Sequence, residues 1–173
     1  MQHVLLNDAI TQITTPYFKF FELQALCEMG RLDIAQEMLT SYWGGMLEMG
    51  ATTVWEEFFP GEGKPECFAM YGDRFGRSLC HAWGSGPIYF LGRYCLGVYA
   101  ADVAYSRFVV APQCGIYKSF KGTVPLPQGD VRVCYDHGTL TVETDCSGGE
   151  VHWQGKTYQL KAGCPLVIAN GEA

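Results

Sequence analysis

Charge is scarce in this chain: Asp, Glu, Lys and Arg together make up 17% of its 173 residues. The balance is acidic, at −6, and no basic run with interleaved aromatics occurs. The electrostatic footprint of a nucleic-acid binder is therefore missing, and no nucleic-acid partner is expected. No apolar stretch approaches the roughly 18–20 residues that cross a bilayer, so no membrane span is expected either. The opening Met1-Gln2-His3-Val4 has neither the charged n-region nor the apolar h-region of a signal peptide, and a cytoplasmic location is the expectation. Cysteine is not scarce, but its 8 residues are scattered, with no Cys-x-x-Cys and no Cys/His spacing of a zinc site. Cys27 and Cys95 lie in apolar runs, which favours buried thiols in a reducing compartment over a disulfide framework. Neither carboxylate clusters nor His pairs have ligand spacing, so no metal or organic cofactor is implied.

What the chain does have is apolar residues, at 48%, and aromatic ones, at 14%. A globular core follows, in one ordinary domain or two small ones. The pattern splits into halves. Thr15-Pro16 is a good helix start, with a hydroxyl at N-cap and Pro at N1. From Pro16 to Met29, Phe18, Phe21, Leu23, Ala25, Leu26 and Met29 make broad apolar faces, and Gly30 suits C′. A second helix follows from about Leu32 to Met46, so the two form an αα-hairpin. A third, from Pro87 to about Val98, is apolar nearly all round and should be buried on most sides. Three helices cannot surround it, so either the other half covers it or further helices do.

Beyond Tyr105 the runs are short and rich in β-branched and aromatic residues: Arg107 to Ala111, Tyr117 to Val124, Val131 to Tyr135, Leu140 to Thr144, Val151 to Trp153, Thr157 to Leu160 and Leu166 to Ala169. Turn signals such as Asp136-His137-Gly138 and Ser147-Gly148-Gly149 separate them. The reading is α+β: a helical part over 1–100, then an antiparallel β-sandwich over 101–173, with Gly97 to Ala104 as the boundary.

The polar residues with chemical interest lie between helices. Trp55-Glu56-Glu57-Phe58 sets two carboxylates among aromatic rings, and Cys80-His81-Ala82-Trp83 sets an imidazole before the most apolar helix. A carboxylate beside aromatic rings is partly stripped of water, which suits acid–base work. Glycosidases use a pair of carboxyl groups, about 6.5–9.5 Å apart in inverting enzymes so that a water fits between base and sugar. On spacing alone, a Glu-Glu pair before two Phe is more often an ordinary amphipathic loop, and a lone His more often a satisfied core residue. Neighbouring residues in extended chain point to opposite sides, so Glu56 and Glu57 should not both face one substrate.

Taken in order, Ile13-Thr14-Thr15-Pro16-Tyr17-Phe18, Gly50-Ala51-Thr52-Thr53-Val54-Trp55-Glu56-Glu57-Phe58, Ser78-Leu79-Cys80-His81-Ala82-Trp83-Gly84, Arg107-Phe108-Val109-Val110-Ala111-Pro112 and Gly122-Thr123-Val124-Pro125 form a constellation. It resembles bacterial α-L-rhamnosidases of glycoside hydrolase family 78 and is similar to related six-hairpin glycosidases. The resemblance implies the last helices of an (α/α)6 catalytic barrel followed by a C-terminal β-sandwich. It implies a rhamnoside-like carbohydrate substrate, with Glu56 as the general base, His81 as a sugar-hydroxyl contact, and Trp55 and, less directly, Trp83 in the pocket wall. Glu57 stands where the family often has Arg or Asp, which points to a structural or supporting role. The family's general acid lies in an earlier motif of Asp-Glu-Arg type that this sequence does not contain. The expectation is a truncated piece of an inverting glycosidase, inactive alone, whose uncovered apolar faces are met by the missing barrel segment or by oligomerisation. A non-catalytic carbohydrate-binding or accessory module, and a purely structural capping domain, are the competing readings.

Overall fold

A computed structural model describes residues 7, 9–10, 12–60 and 78–169. The opening residues that bear on location, and Cys67, lie outside the described residues. Two compact units divide the chain, Met1–Phe90 and Leu91–Ala173.

In the first unit, Pro16 supplies a helical φ at the first position of α1 (Pro16–Glu28). Thr15 stands at N-cap as expected, but its hydroxyl makes no cap hydrogen bond. Gly30, at φ +73°, ends the helix. Its N–H donates to the Cys27 carbonyl at 2.9 Å, and the Arg31 N–H reaches back to the Leu26 carbonyl at 2.8 Å. Those two bonds make a Schellman cap, which turns the chain straight into α2 (Leu32–Leu39). The second helical run then passes through a π-helical turn, Thr40–Gly44, into α3 (Gly45–Glu48). Apolar periodicity foretells the run but not the π turn within it. A second Schellman cap closes it: Gly50 N–H to the Leu47 carbonyl and Ala51 N–H to the Met46 carbonyl, at 2.9 and 3.0 Å.

The hairpin packs α1 on α2, and Leu23, Leu26, Ala35, Leu39, Tyr42 and Met46 fill its core. Lys19 lies on the same buried stripe. Its ammonium is 2.7 Å from the Glu22 carboxylate and 5.9 Å from the centre of the Tyr42 ring, partners without which burial would be costly. Phe18, Phe21 and Met29, expected among the apolar faces of α1, are exposed. A 3-10 turn, Ala82–Ser85, leads into α4 (Gly86–Phe90), which packs on α1. The expectation that this helix is buried on most sides is corrected. Phe90 is fully buried, whereas Ile88 is 77% and Tyr89 54% exposed. Among the described residues α1 meets only one face of this short helix, where the Phe20 ring touches Tyr89 edge-on at 5.7 Å between centres.

The second unit opens with a π-helical turn, Leu91–Cys95, and turns to strand by Val98, where the sequence reading still has helix. Its strands are β1 (Val98–Ala100), β2 (Phe108–Val110), β3 (Ser119–Leu126), β4 (Gly129–Asp136), β5 (Thr139–Thr144), β6 (Gly149–Trp153), β7 (Lys156–Gln159) and β8 (Leu166–Ile168). They form two four-stranded sheets, in the orders β1-β2-β6-β7 and β3-β4-β5-β8. All seven expected strands are present, close to their expected ends. β1 is an eighth, in the segment taken as a boundary. Pairing is antiparallel except between β2 and β6, which run parallel with Phe108 opposite Gly149 and Val110 opposite Val151. The period-2 alternation sends Val131 and Val133 of β4 and Leu140 and Val142 of β5 inward. There they share one core with Val98, Phe108, Val110 and Val151 of the other sheet. Of the cysteines, Cys27, Cys95 and Cys146 are buried, while Cys80, Cys134 and Cys164 are exposed, against the expectation of burial.

Gly97 is the tightest backbone position of this unit. It sits at φ +72°, and a Cβ there would lie 2.1 Å from the Ala111 carbonyl carbon and oxygen. Its own carbonyl accepts the Ala111 N–H at 2.9 Å. Backbone strain and overlap with main chain add, so Gly97→Ala is expected to cost roughly 2–4 kcal/mol. Urea denaturation followed by near-ultraviolet circular dichroism measures this, and a loss under about 0.5 kcal/mol would contradict the close approach.

Candidate active site

The Schellman cap at Gly50 releases the chain into a loop that bends at 52–53 and again at 56, and a second stretch, 78–81, runs beside it. Main-chain bonds join them: Glu56 N–H to the Ser78 carbonyl at 2.9 Å and His81 N–H to the Val54 carbonyl at 2.8 Å. The Thr53 hydroxyl donates to the Leu79 carbonyl. Gly84 permits the approach, since a Cβ there would lie 2.9 Å from the Val54 Cβ and 3.0 Å from the Trp55 carbonyl oxygen. The Gly84 carbonyl in turn accepts the Trp43 indole N–H at 2.8 Å, so the π turn of the second helical run holds the 3-10 turn Ala82–Ser85.

Within this frame the two acidic neighbours part company. The Glu56 side chain folds against the 78–81 stretch. Glu56 is 7% exposed, and its Oε2 accepts the Ser78 N–H at 3.0 Å. The His81 Nδ1 stands 3.9 Å from the same oxygen, too far for a hydrogen bond and near enough for charge attraction once the ring is protonated. Glu57 points elsewhere and accepts the Thr14 hydroxyl through Oε1. The Thr14 carbonyl accepts both the Phe58 N–H, at 3.1 Å, and the Tyr42 hydroxyl. Thr14 therefore ties the loop to the α1–α2 hairpin on the side away from Glu56. Phe58 completes the anchor. It is buried, with its ring centre 5.5 Å from Tyr42 and 6.1 Å from Trp55, and it fills the space that a side chain at Gly45 would need.

The four residues singled out in sequence fall into two groups. Glu56, His81 and Trp83 come together: the His81 and Trp83 ring centres are 4.2 Å apart, at 36° between planes. Trp55 is buried at 4% exposure on the Phe58 side. Thr14 and the Ser78 N–H, which hold the two carboxylates, were not singled out. Thr14 lies three residues before Tyr17 in the first quoted motif and Ser78 opens the third, but hydrogen bonds across such sequence separation leave no local signal. Among the described residues no group of three His, Cys, Asp or Glu side chains could hold a metal ion. Chemically, the site offers a carboxylate with little water around it, one oxygen oriented by a main-chain N–H, and an imidazole alongside.

Residues 13–95 match the family described as the bacterial alpha-L-rhamnosidase 6 hairpin glycosidase domain. Among solved structures the chain is similar to a glycoside hydrolase family 78 rhamnosidase of Bacillus sp. GL1, with 29% identity and a TM-score of 0.66 over 84% of this chain and 15% of that one. An α-L-rhamnosidase from Dictyoglumus thermophilum shares the fold at 19% identity and a TM-score of 0.58, over 79% of this chain and 16% of that one. So does the Streptomyces avermitilis α-L-rhamnosidase complexed with L-rhamnose, at 20% and 0.57, over 77% and 14%. The chain thus spans 14–16% of the length of these enzymes. No curated protein matches it.

The Thr14 tie gives a direct test. Thr14→Val keeps the shape but removes the donor to the Glu57 carboxylate, and hydrogen bonds to charged groups are worth about 1.5–3 kcal/mol. A stability loss of about 1–2 kcal/mol in urea denaturation is expected, discounted for partial exposure. An unchanged midpoint would show that the hydroxyl bond does not hold the loop.

Proposed function

We propose that this chain supplies the water-activating side of the sugar pocket in an inverting glycoside hydrolase that releases terminal α-L-rhamnose or a similar sugar. The observation that carries the reading is the buried Glu56 carboxylate, fixed by the Ser78 N–H beside His81, inside the segment that matches the rhamnosidase domain. A water next to Glu56 attacks the anomeric carbon from the face opposite the leaving oxygen. Glu56 takes one proton from that water as the new C–O bond forms, the glycosidic C–O bond breaks, and the leaving oxygen takes a proton from a second carboxyl group. His81 hydrogen-bonds a sugar hydroxyl, and the Trp83 ring, with Trp55 behind the loop, limits the pocket.

The second carboxyl group is proposed to come from outside this chain, so the chain alone is expected to bind the sugar without cleaving it. The exposed apolar side chains Phe18, Phe21, Ile88 and Tyr89 favour the same arrangement, because a surface of that kind is normally covered. The rest of a helical barrel would cover it in the whole enzyme, and self-association would do so in the isolated chain.

In an enzyme that carries these residues within a whole six-hairpin domain, Glu56→Gln is expected to lower kcat on an aryl α-L-rhamnoside by about 10²–10⁴-fold with little change in KM. Turnover within a few-fold of the parent enzyme would remove Glu56 from the role of base.

A further inference from the structure

Two consecutive rings of the second helical run reach the two segments that make up the site. Tyr42 and Trp43 are both buried, with ring centres 4.8 Å apart at 68° between planes. The Tyr42 hydroxyl donates to the Thr14 carbonyl, which also takes the Phe58 N–H, so Tyr42 braces the loop that carries Glu56. The Trp43 indole N–H donates to the Gly84 carbonyl at 2.8 Å, in a buried setting, so Trp43 braces the segment that carries His81. Both residues lie in the π-helical turn Thr40–Gly44. A π turn holds one residue more than an α turn, which re-aims the side chains around it, and such turns are frequent at functional sites.

From Gly84 the hydrogen bonding continues into the main chain of His81. The Gly84 N–H donates to the His81 carbonyl at 3.0 Å, and the His81 N–H donates to the Val54 carbonyl at 2.8 Å. Bonds in such a series polarise one another. Gly84 also lies hard against the loop, since a Cβ there would stand 2.9 Å from the Val54 Cβ. The Trp43 N–H thus fixes one end of a series that ends two residues before Glu56, with His81 in the middle. The His81 side chain is 33% exposed, so its place beside Glu56 depends on this main-chain anchor and on the Trp83 ring at 4.2 Å.

We propose that Trp43 is a positioning residue: through the Gly84 carbonyl it holds the His81 imidazole where a sugar hydroxyl meets it beside Glu56. The assignment rests on the reading of His81 as a sugar contact. The indole N–H is the part of Trp43 that matters here, and the ring alone would fill the core without it.

Replacing Trp43 by 3-benzothienylalanine keeps the size and flatness of the side chain and puts a sulfur where the N–H stands, so the core stays filled. L-Rhamnose binding to the whole chain is measured by isothermal titration, with and without this replacement, in the parent and in the His81→Ala background. The net worth of one buried hydrogen bond corresponds to about 2- to 10-fold in a binding constant, and the replacement should weaken rhamnose binding by that factor. With His81→Ala already present, the same replacement should change the affinity by less than about 1.5-fold, because the ring through which Trp43 acts is gone. Trp43→Phe, which also lacks the donor, should repeat the pattern. An affinity untouched by the replacement, while His81→Ala weakens binding, would overturn the role of Trp43 and leave the sugar site standing. Equal weakening in both backgrounds would overturn it too, as the mark of a purely structural residue. Binding indifferent to His81→Ala, or no binding by the unaltered chain, would overturn the sugar site together with the inference that rests on it.

Discussion

The site depends on one constraint: a loop held on both sides so that neighbouring carboxylates meet different partners. On one side Glu56 N–H and the Val54 carbonyl bond to the 78–81 stretch; on the other Phe58 N–H bonds to Thr14. With both sides fixed, Trp55 and Phe58 fall into the core of the first unit, Glu56 is left against His81, and Glu57 meets Thr14. A slip of one residue would exchange the two carboxylates and put Glu57 beside the imidazole. The burial of Glu56 is tolerable because Ser78 donates to it and His81 lies alongside, since an unpaired carboxylate with so little water would be costly.

Much of this was legible in sequence where local chemistry dictates structure. Thr15-Pro16 and Gly30 bracket α1 because Pro fits the first helical turn and only Gly adopts φ +73° cheaply. The seven strand runs were legible because alternation and Gly-rich turns are local too. The separation of Glu56 from Glu57 was expected from the alternation of extended chain, and it is found in a loop that bends at Glu56. What escaped was set by distant partners. The π turn at Thr40–Gly44 lies in a seamless apolar pattern, and its visible consequence, the Trp43 bond to Gly84, spans two elements. Among the described residues the short β1 pairs with β2 alone, and the parallel β2–β6 pair joins segments far apart in sequence. Ile88 and Tyr89 read as buried because apolarity was taken for coverage, and coverage depends on what lies opposite.

The exposed side chains of the first unit divide by chemistry. Phe18, Phe21 and Ile88 are wholly apolar and gain only by contact with other apolar surface. Tyr17 and Trp83 carry polar edges and stand in line with His81. The proposed sugar pocket and the surface proposed to meet the rest of a barrel therefore lie on different side chains of the same short helical region.

The most direct measurement is a crystal structure of this chain soaked with L-rhamnose. The account predicts the sugar beside His81, with its anomeric carbon facing the Glu56 carboxylate across the space of one water molecule. A sugar bound elsewhere, with Glu56 still turned to Ser78 and no ligand before it, would contradict the proposal that this loop carries the water-activating carboxylate.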